Sequence, residues 1–159
     1  MNKLLILGSI AFDQIETPFG KSNAIMGGSA NYIALAAAQF EVPSAVVSIV
    51  GDDYPQDYLN LLAQRHIDIS GIEIVHGGKT LFWSGKYRND MNQRDTLDTQ
   101  LNVLANFKPV VPEAFRNAEV LLLGNLHPTL QMDVLDQMLS RPKLVVMDTM
   151  NYWMNHTWD

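Results

Sequence analysis

Aspartate, asparagine and paired glycine residues follow or precede apolar runs of this chain at positions where they could bind a small molecule. Asp13 follows the first apolar run, and Asn125 and Asp148 follow two later ones. Gly27 and Gly28 precede a segment of helix-forming residues that begins near residue 30. Ligands of open α/β sheets bind beyond the carboxyl ends of the strands, so the convergence of these residues predicts a small-molecule site.

The two glycines and the nearby Asn31 have two interpretations. The simpler one is a tight turn followed by a helix that Asn31 caps. In the other, Gly27 and Gly28 let a ligand approach the backbone closely. The free N–H groups of the first helical turn, together with the Asn31 amide, then face that ligand. Both interpretations place residues 27–31 at a helix N-terminus.

Other charged residues lack the spacing of a metal or anion site. Asp52 and Asp53 stand before a predicted helix, and helix capping explains them better than a metal ion. Lys86, Arg88 and Arg94 could reach an anionic substrate group, although a solvated surface is the simpler explanation. The histidines are dispersed, and no zinc site is expected. They are His66, His76, His127 and His156.

Length and composition narrow the class of protein. The chain has 159 residues, 47% of them hydrophobic, which suits one domain with its own core. Its formal net charge is −6, and no Lys/Arg cluster offers contacts to phosphates, so a nucleic-acid partner is not expected. The chain has no cysteine and therefore no disulfide framework. Its first apolar run is too short to span a membrane, and we expect a soluble cytoplasmic protein.

The elements that position these residues are predicted from hydrophobic patterns. Continuous apolar runs indicate four buried parallel strands at residues 3–8, 45–51, 119–124 and 143–148. Helices are predicted between them at residues 30–40, 55–65 and 129–139. Strands that alternate with helices predict a doubly wound α/β fold with a mostly parallel sheet.

Shorter alternating segments predict β-hairpins outside this sheet. The first hairpin spans residues 14–25, and the second spans residues 73–87 with Gly77 and Gly78 as its turn. Residues 88–102 are polar and are expected to form mostly loop. The residues after Asp148 include two tryptophans without a partner element, so we expect the chain to be a truncated part of a longer protein.

Taken together, these motifs resemble the N-terminal, substrate-binding portion of the ribokinase-like (PfkB) carbohydrate kinases. The matching segments are GSIAFD at 8–13, GGSAN at 27–31, VGDD at 50–53 and IDISGI at 67–72. Their order and spacing extend the resemblance over residues 1–159, as part of one ribokinase-like domain. The segments at 79–85 and 94–99 resemble a subgroup of sugar-kinase homologues without a defined substrate.

The resemblance implies ATP-dependent phosphorylation of a hydroxyl on a sugar or related polyol, with Mg²⁺ as the metal cofactor. It implies that Asp13 accepts hydrogen bonds from substrate hydroxyls, which suits the two oxygens of a carboxylate. Gly27 and Gly28 would let the sugar lie against the backbone, and Asn31 would bind a further hydroxyl. Segments 14–25 and 73–88 correspond to a β-hairpin lid that excludes water from the sugar and often forms a homodimer contact.

The same resemblance places the phosphoryl-transfer machinery outside this chain. The family's catalytic base belongs to a glycine-rich Gly-Asp motif expected beyond Asp159, and its metal-linked motif would also lie there. No catalytic or metal-binding residue is therefore assigned, and the chain alone is expected to be inactive. Ala11 and Ser29 stand where ribokinase has asparagine and lysine, which weakens the case for ribose as substrate.

Three alternatives remain open. A nucleoside kinase of the same fold could stack a base on the aromatic residues Phe82, Trp83 and Tyr87. A non-catalytic sugar-binding or dimerising fragment would need no further machinery. A dinucleotide-binding Rossmann module is disfavoured, because residues 8–11 lack the G-x-G-x-x-G pattern that leads directly into a helix.

Overall fold

The computed structural model describes residues 3–157, which form two β-sheets with helices around the larger one. In chain order, its strands are β1 (Leu4–Leu7), β2 (Ala11–Thr17), β3 (Gly20–Lys21), β4 (Ile25–Gly27), β5 (Ser44–Gly51), β6 (Ile67–Val75), β7 (Leu81–Tyr87), β8 (Arg94–Gln100), β9 (Val120–Leu123) and β10 (Leu144–Met147). Its α-helices are α1 (Ser29–Ala38), α2 (Gln56–Gln64), α3 (Pro128–Asp136) and α4 (Asn151–His156). Short 3₁₀ helices occupy Asn102–Asn106 and Glu113–Phe115.

The larger sheet is parallel, with the strand order β10-β9-β1-β5-β6. Its central strand β1 is covered on both faces, because successive side chains enter two separate cores. Leu5 belongs to the core that contains Val134 of α3, and Ile6 belongs to the core that contains Leu62 of α2. The predicted doubly wound α/β fold with a mostly parallel sheet is confirmed.

The smaller sheet is built around β2, which follows β1 after residues 8–10. β3 and β4 pair antiparallel with β2. The pairing of Glu16 and Thr17 with β3 confirms a hairpin within residues 14–25, whereas β4 pairs with residues 11–13. β7 pairs parallel with β2 and antiparallel with β8. Because β2 begins directly after β1, the smaller sheet starts at the carboxyl edge of the larger one.

The hairpin predicted over residues 73–87 is wrong. β6 continues to Val75 beside β5 in the larger sheet, whereas β7 lies in the smaller sheet. The turn at Gly77, which has a φ of 72°, therefore connects two sheets rather than two paired strands. A two-glycine turn specifies a local change of direction, but the partner of each strand depends on distant residues. The lid segment predicted at 73–88 accordingly contributes only β7 to the smaller sheet, and the larger sheet has five strands rather than four.

The loop predicted over residues 88–102 is also wrong, because it contains β8. All seven residues of this edge strand are exposed, and all but Leu97 are polar, so neither face is apolar. Without an apolar face, the sequence shows no alternation that would identify a strand. Backbone pairing with β7 holds it in place.

β10 was predicted to be buried, and the structure corrects this. The strand pairs with β9 as expected, but Leu144, Val146 and Met147 are 53%, 41% and 62% exposed. β10 is the edge strand of the larger sheet, so its faces are not covered as those of β1 are. Apolar composition alone cannot distinguish an edge strand from a central one.

Candidate functional site

Asp13 lies on β2, and its carboxylate rests over the backbone of Gly27 on the paired strand β4. A Cβ atom built on Gly27 would stand 2.2 Å from the Asp13 Cγ atom. Glycine is therefore needed for the carboxylate to lie here, and the space over Gly27 is filled by Asp13 rather than left open. The Asp13 side chain is partly buried, and this burial raises the pKa of its carboxyl group.

Gly28 is the N-cap of α1 and has a φ of 91°, in the left-handed region that favours glycine. A Cβ there would approach the carbonyl oxygen of Ser9 to 2.3 Å. Ser9 also engages the first N–H groups of α1. Ser29 N donates to the Ser9 hydroxyl at 3.2 Å, and Ala30 N donates to its carbonyl oxygen at 3.0 Å. The expectation that these N–H groups face a ligand is therefore wrong.

Asn31 is the third residue of α1 rather than its cap, and its side chain is 0% exposed. The Nδ2 group donates to the carbonyl oxygen of Gly27 at 2.7 Å and to the hydroxyl oxygen of Tyr54 at 3.0 Å. The Oδ1 atom is buried and has no hydrogen-bond partner in the part of the chain that the structure describes. Asn31 thus lies beside Gly27, as the sequence indicates, but behind the backbone and away from solvent.

Tyr54 was not identified from the sequence. It is buried, and this burial raises its pKa to about 12, so the hydroxyl stays protonated at neutral pH. Its ring contacts Phe12, with centroids 5.3 Å apart, and Tyr58, with centroids 5.6 Å apart. No local pattern could identify it, because its partner Asn31 lies 23 positions earlier in the chain.

Asp52 and Asp53 neither cap α2 nor form a metal site with described residues. Pro55 is the N-cap of α2 and provides no side-chain hydrogen bond. Asp52 Oδ2 accepts a hydrogen bond from Gly77 N at 2.8 Å, and Asp53 Oδ1 accepts two from Thr80, from N at 2.8 Å and from Oγ1 at 2.7 Å. The two carboxylates therefore hold the connection that leads into β7.

Trp83 lies beside Asp13 in the smaller sheet, because β2 and β7 pair in parallel with these residues in register. The indole ring covers Gly85, where a Cβ atom would stand 2.2 Å from a ring carbon. Its Nε1 group donates to Thr96 Oγ1 at 3.4 Å, and the Arg94 guanidinium lies 5.7 Å from the ring centroid. The face of the sheet that carries Asp13 thus also carries a flat aromatic surface.

The neighbouring residues of β7 are arranged differently. Phe82 precedes Trp83, so its side chain lies on the opposite face of the smaller sheet. Lys86 Nζ lies 2.5 Å from a carboxylate oxygen of Glu16. Arg88 Nη2 lies 2.9 Å from Asp95 Oδ1. These ion pairs raise the pKa of Lys86 and lower that of Glu16. Two of the three cations predicted as candidates for an anionic substrate are therefore paired with carboxylates.

Asn125 and Asp148 lie at the carboxyl ends of β9 and β10, as predicted. None of the hydrogen bonds described for residues 3–157 joins either of them to Asp13. Asn125 Oδ1 accepts from Trp153 Nε1 at 2.9 Å, and the buried Gln131 donates to the carbonyl oxygen of Asp148 at 2.9 Å. The sheet places them on its carboxyl edge, while Asp13, Gly27 and Asn31 form a separate contact group.

Within residues 3–157, no three His, Asp or Glu side chains are grouped so that they could hold a metal ion. The helices described in the same range are too short, or too polar, for a membrane span.

Comparison with known proteins identifies the family of this chain. Residues 1–159 match the pfkB family carbohydrate kinases. A curated relative is the cytidine kinase of Thermococcus kodakarensis, which is 26% identical over 138 residues, covering 87% of this chain and 49% of the relative. The chain therefore spans about half the length of that protein.

Solved structures support the same fold. The nucleoside kinase of Methanocaldococcus jannaschii, an archaeal member of the ribokinase family, superimposes with a TM-score of 0.73 at 20% identity, over 93% of this chain and 52% of that one. The nucleoside kinase of Burkholderia thailandensis in complex with inosine has a TM-score of 0.69 at 17% identity, over 84% and 48% of the two chains. From its sequence match and its fold, the chain belongs to the pfkB family of carbohydrate kinases.

Proposed function

We propose that this chain is the substrate-binding half of a kinase that transfers the γ-phosphoryl group of ATP to a hydroxyl of a sugar or related polyol. The observation that carries the proposal is the Asp13 carboxylate, held partly buried over Gly27 beside the carboxyl edge of the larger sheet. A carboxylate in this position offers two acceptor oxygens to neighbouring hydroxyls. Family membership supports kinase chemistry. The sugar or polyol as the molecule that receives the phosphoryl group is our proposal.

In this proposal Asp13 is the residue that binds substrate hydroxyls directly. Gly27 and Gly28 form the wall behind it, and Asn31 completes the wall from the buried side. The smaller sheet would act as the lid, since it begins at the same edge and carries Asp13 on one strand. Such a lid would exclude the water that competes with the sugar for the phosphoryl group.

No site for the phosphoryl donor is assigned to the described residues. ATP and Mg²⁺ are proposed from family membership, and the donor set of a metal site is not assembled within residues 3–157. We assign neither the catalytic base nor a metal ligand to this chain. It follows that the 159-residue chain alone should bind substrate without turning over ATP.

A nucleoside is the second candidate substrate, and Trp83 is the observation that favours it. Trp83 pairs with Asp13, and its indole ring extends along β7 to cover Gly85. Gly85 lies two residues beyond Trp83, roughly 7 Å along the strand. A ribose diol on Asp13 would therefore leave the attached base near the indole face. The relatives named as cytidine kinase and as nucleoside kinase with inosine support this candidate.

A third candidate is a non-catalytic fragment that binds sugar or dimerises through the smaller sheet. The free edge strand β8, exposed along its whole length, supports a homodimer contact there. We also propose that the protein is located in the cytoplasm.

Calorimetric titration of the chain with D-ribose, D-fructose, cytidine and inosine tests these candidates. We expect at least one of them to bind, and Asp13→Asn to weaken that binding about tenfold to a hundredfold, since hydrogen bonds to a charged group contribute roughly 1.5–3 kcal/mol. Asp133→Asn, an exposed carboxylate on α3, is the matched control. Trp83→Ala should weaken the nucleosides about tenfold but not the free sugars. Equal affinity of the Asp13→Asn variant would remove Asp13 from the site.

A further inference from the structure

We propose that Tyr54 and Asn31 act as positioning residues that hold Gly27, and through it Asp13, in the geometry that binds substrate. The buried hydrogen-bonded chain runs from the Tyr54 hydroxyl through the Asn31 amide to the carbonyl of Gly27, and the Asp13 carboxylate lies in the space that a Gly27 side chain would occupy. The inference rests on the proposed role of Asp13. It adds that Asn31 acts on the substrate site from behind rather than by contacting the substrate.

The first step is the orientation of the Asn31 amide. The Gly27 carbonyl oxygen can only accept a hydrogen bond, so the Asn31 atom 2.7 Å away must be the nitrogen. The Tyr54 hydroxyl oxygen lies 3.0 Å from the same nitrogen and therefore accepts its second N–H. Both N–H groups are thus used within the protein. With the side chain 0% exposed, no donor of Asn31 remains for a substrate.

The second step connects Gly27 to Asp13. Gly27 pairs with Ala11 on β2, two positions before Asp13, and no side chain separates the Gly27 backbone from the carboxylate. A shift of this backbone toward Asp13 would create a clash, and a shift away would open a gap into which water could enter. The position and the hydration of the carboxylate therefore depend on what holds Gly27.

The third step concerns the turn that contains Tyr54. Asp53, the preceding residue, binds the N–H and the hydroxyl of Thr80, and Gly51 N donates to Thr80 Oγ1 at 3.0 Å. Thr80 directly precedes β7, and Trp83 on that strand is the neighbour of Asp13. Residues 51–54 thus fix Asp13 from two sides, through Gly27 below it and through β7 beside it.

The experiment compares Tyr54→Phe with Tyr58→Phe. Each removes one hydroxyl from the aromatic cluster, but Tyr54 accepts the Asn31 hydrogen bond and Tyr58 has no described side-chain hydrogen bond. For the ligand that binds best in the calorimetric panel, Tyr54→Phe should weaken affinity about fivefold to tenfold, as expected for the loss of one buried hydrogen bond. Tyr58→Phe should leave affinity within twofold.

Carbon-13 NMR titration of the Asp13 carboxyl gives a second measurement that needs no ligand. In Tyr54→Phe the pKa of Asp13 should move down toward its ordinary value, because a loosened Gly27 admits water to the carboxylate. The Asn31 side-chain amide protons should also exchange faster with solvent. Tyr58→Phe should change neither. An unchanged Asp13 titration in a folded Tyr54→Phe variant would overturn the proposal.

Asn31→Ser provides an independent variant, because it removes the amide and leaves Tyr54 intact. It should reproduce the Tyr54→Phe effect on the Asp13 titration, and the double variant should add little to either single one. Additive effects would contradict a single hydrogen-bonded chain. If no ligand binds to the wild-type chain but these NMR effects are present, the positioning role stands and the proposed function fails.

Discussion

Asp13 meets two requirements that oppose each other. It must be ionised for both of its oxygens to act as acceptors for substrate hydroxyls, yet burial raises the pKa of its carboxyl group and so disfavours the charged form. Because the folded-state pKa is above the unfolded value, the folded protein binds this proton more tightly. Folding stability contributed by Asp13 is therefore present below the ordinary pKa of aspartate and is lost as pH rises through the raised pKa.

Asp13→Asn should consequently stabilise the fold at neutral pH while weakening substrate binding. The amide keeps the shape of the side chain without the cost of a partly buried charge. Urea unfolding at about pH 7 should give a higher midpoint than that of the wild-type protein, and the difference should shrink near pH 3, where the wild-type carboxyl is protonated. Asp133→Asn serves as the exposed control. Equal midpoints for Asp13→Asn and wild type at neutral pH would contradict a destabilising Asp13.

At the level of elements, the start of β7 is the point where the two sheets are joined. Thr80 is buried, accepts a hydrogen bond from Gly51 N and donates one to Asp53, while Asn102 Nδ2 donates to its carbonyl oxygen at 2.9 Å. These contacts fix the strand that lies beside β2. The smaller sheet is otherwise less buried than the larger one, so its order depends on this attachment.

Thr80→Val tests that attachment. Valine matches the shape of threonine but leaves Gly51 N without its acceptor, which should cost about 1–3 kcal/mol of folding free energy. Amide hydrogen exchange should become faster in β7 and β8, while β1 and β5 keep their protection. Thr99→Val, on the exposed strand β8, is the control, because no side-chain hydrogen bond is described for Thr99. Uniformly faster exchange in both sheets would show that Thr80 stabilises the whole fold rather than the attachment.

At the level of the whole molecule, β10 exposes an apolar edge. Leu144, Val146 and Met147 lie on a strand whose outer backbone groups face no other strand in the described part of the chain. Exposed apolar edge strands promote association with other chains. The 159-residue chain should therefore self-associate through this edge as its concentration increases.

Val146→Lys should reduce that self-association, because a charge on the exposed edge opposes strand pairing between molecules. Sedimentation velocity over a range of concentrations would measure the change. Phe40→Lys is the control, since Phe40 is also exposed but lies just after α1, away from the sheet edge. Equal effects of the two variants would indicate general solubility rather than association through β10.

Much of the fold and part of the site could be predicted from the sequence. Runs such as Leu4–Leu7 and Val120–Leu123 are apolar at every position, a pattern typical of strands in a parallel sheet that is covered on both faces. The position of Gly27 shortly before α1 also followed from local residue types, although Asp13 lies within β2 rather than just past the end of β1. These features are local, so neighbouring residues suffice to specify them.

Strand partners and side-chain directions were decided only by the tertiary structure. The two-glycine turn at 77–78 is compatible with a hairpin, yet β6 pairs with β5 and β7 pairs with β2, because the free energy of pairing comes from residues far away in sequence. The inward direction of Asn31 depends on Tyr54 for the same reason. Local residue types determined that Gly27 precedes a helix and that Asp148 follows a strand, and the packing of distant elements decided that the Asp13 carboxylate lies over Gly27 while the Asn31 side chain faces inward.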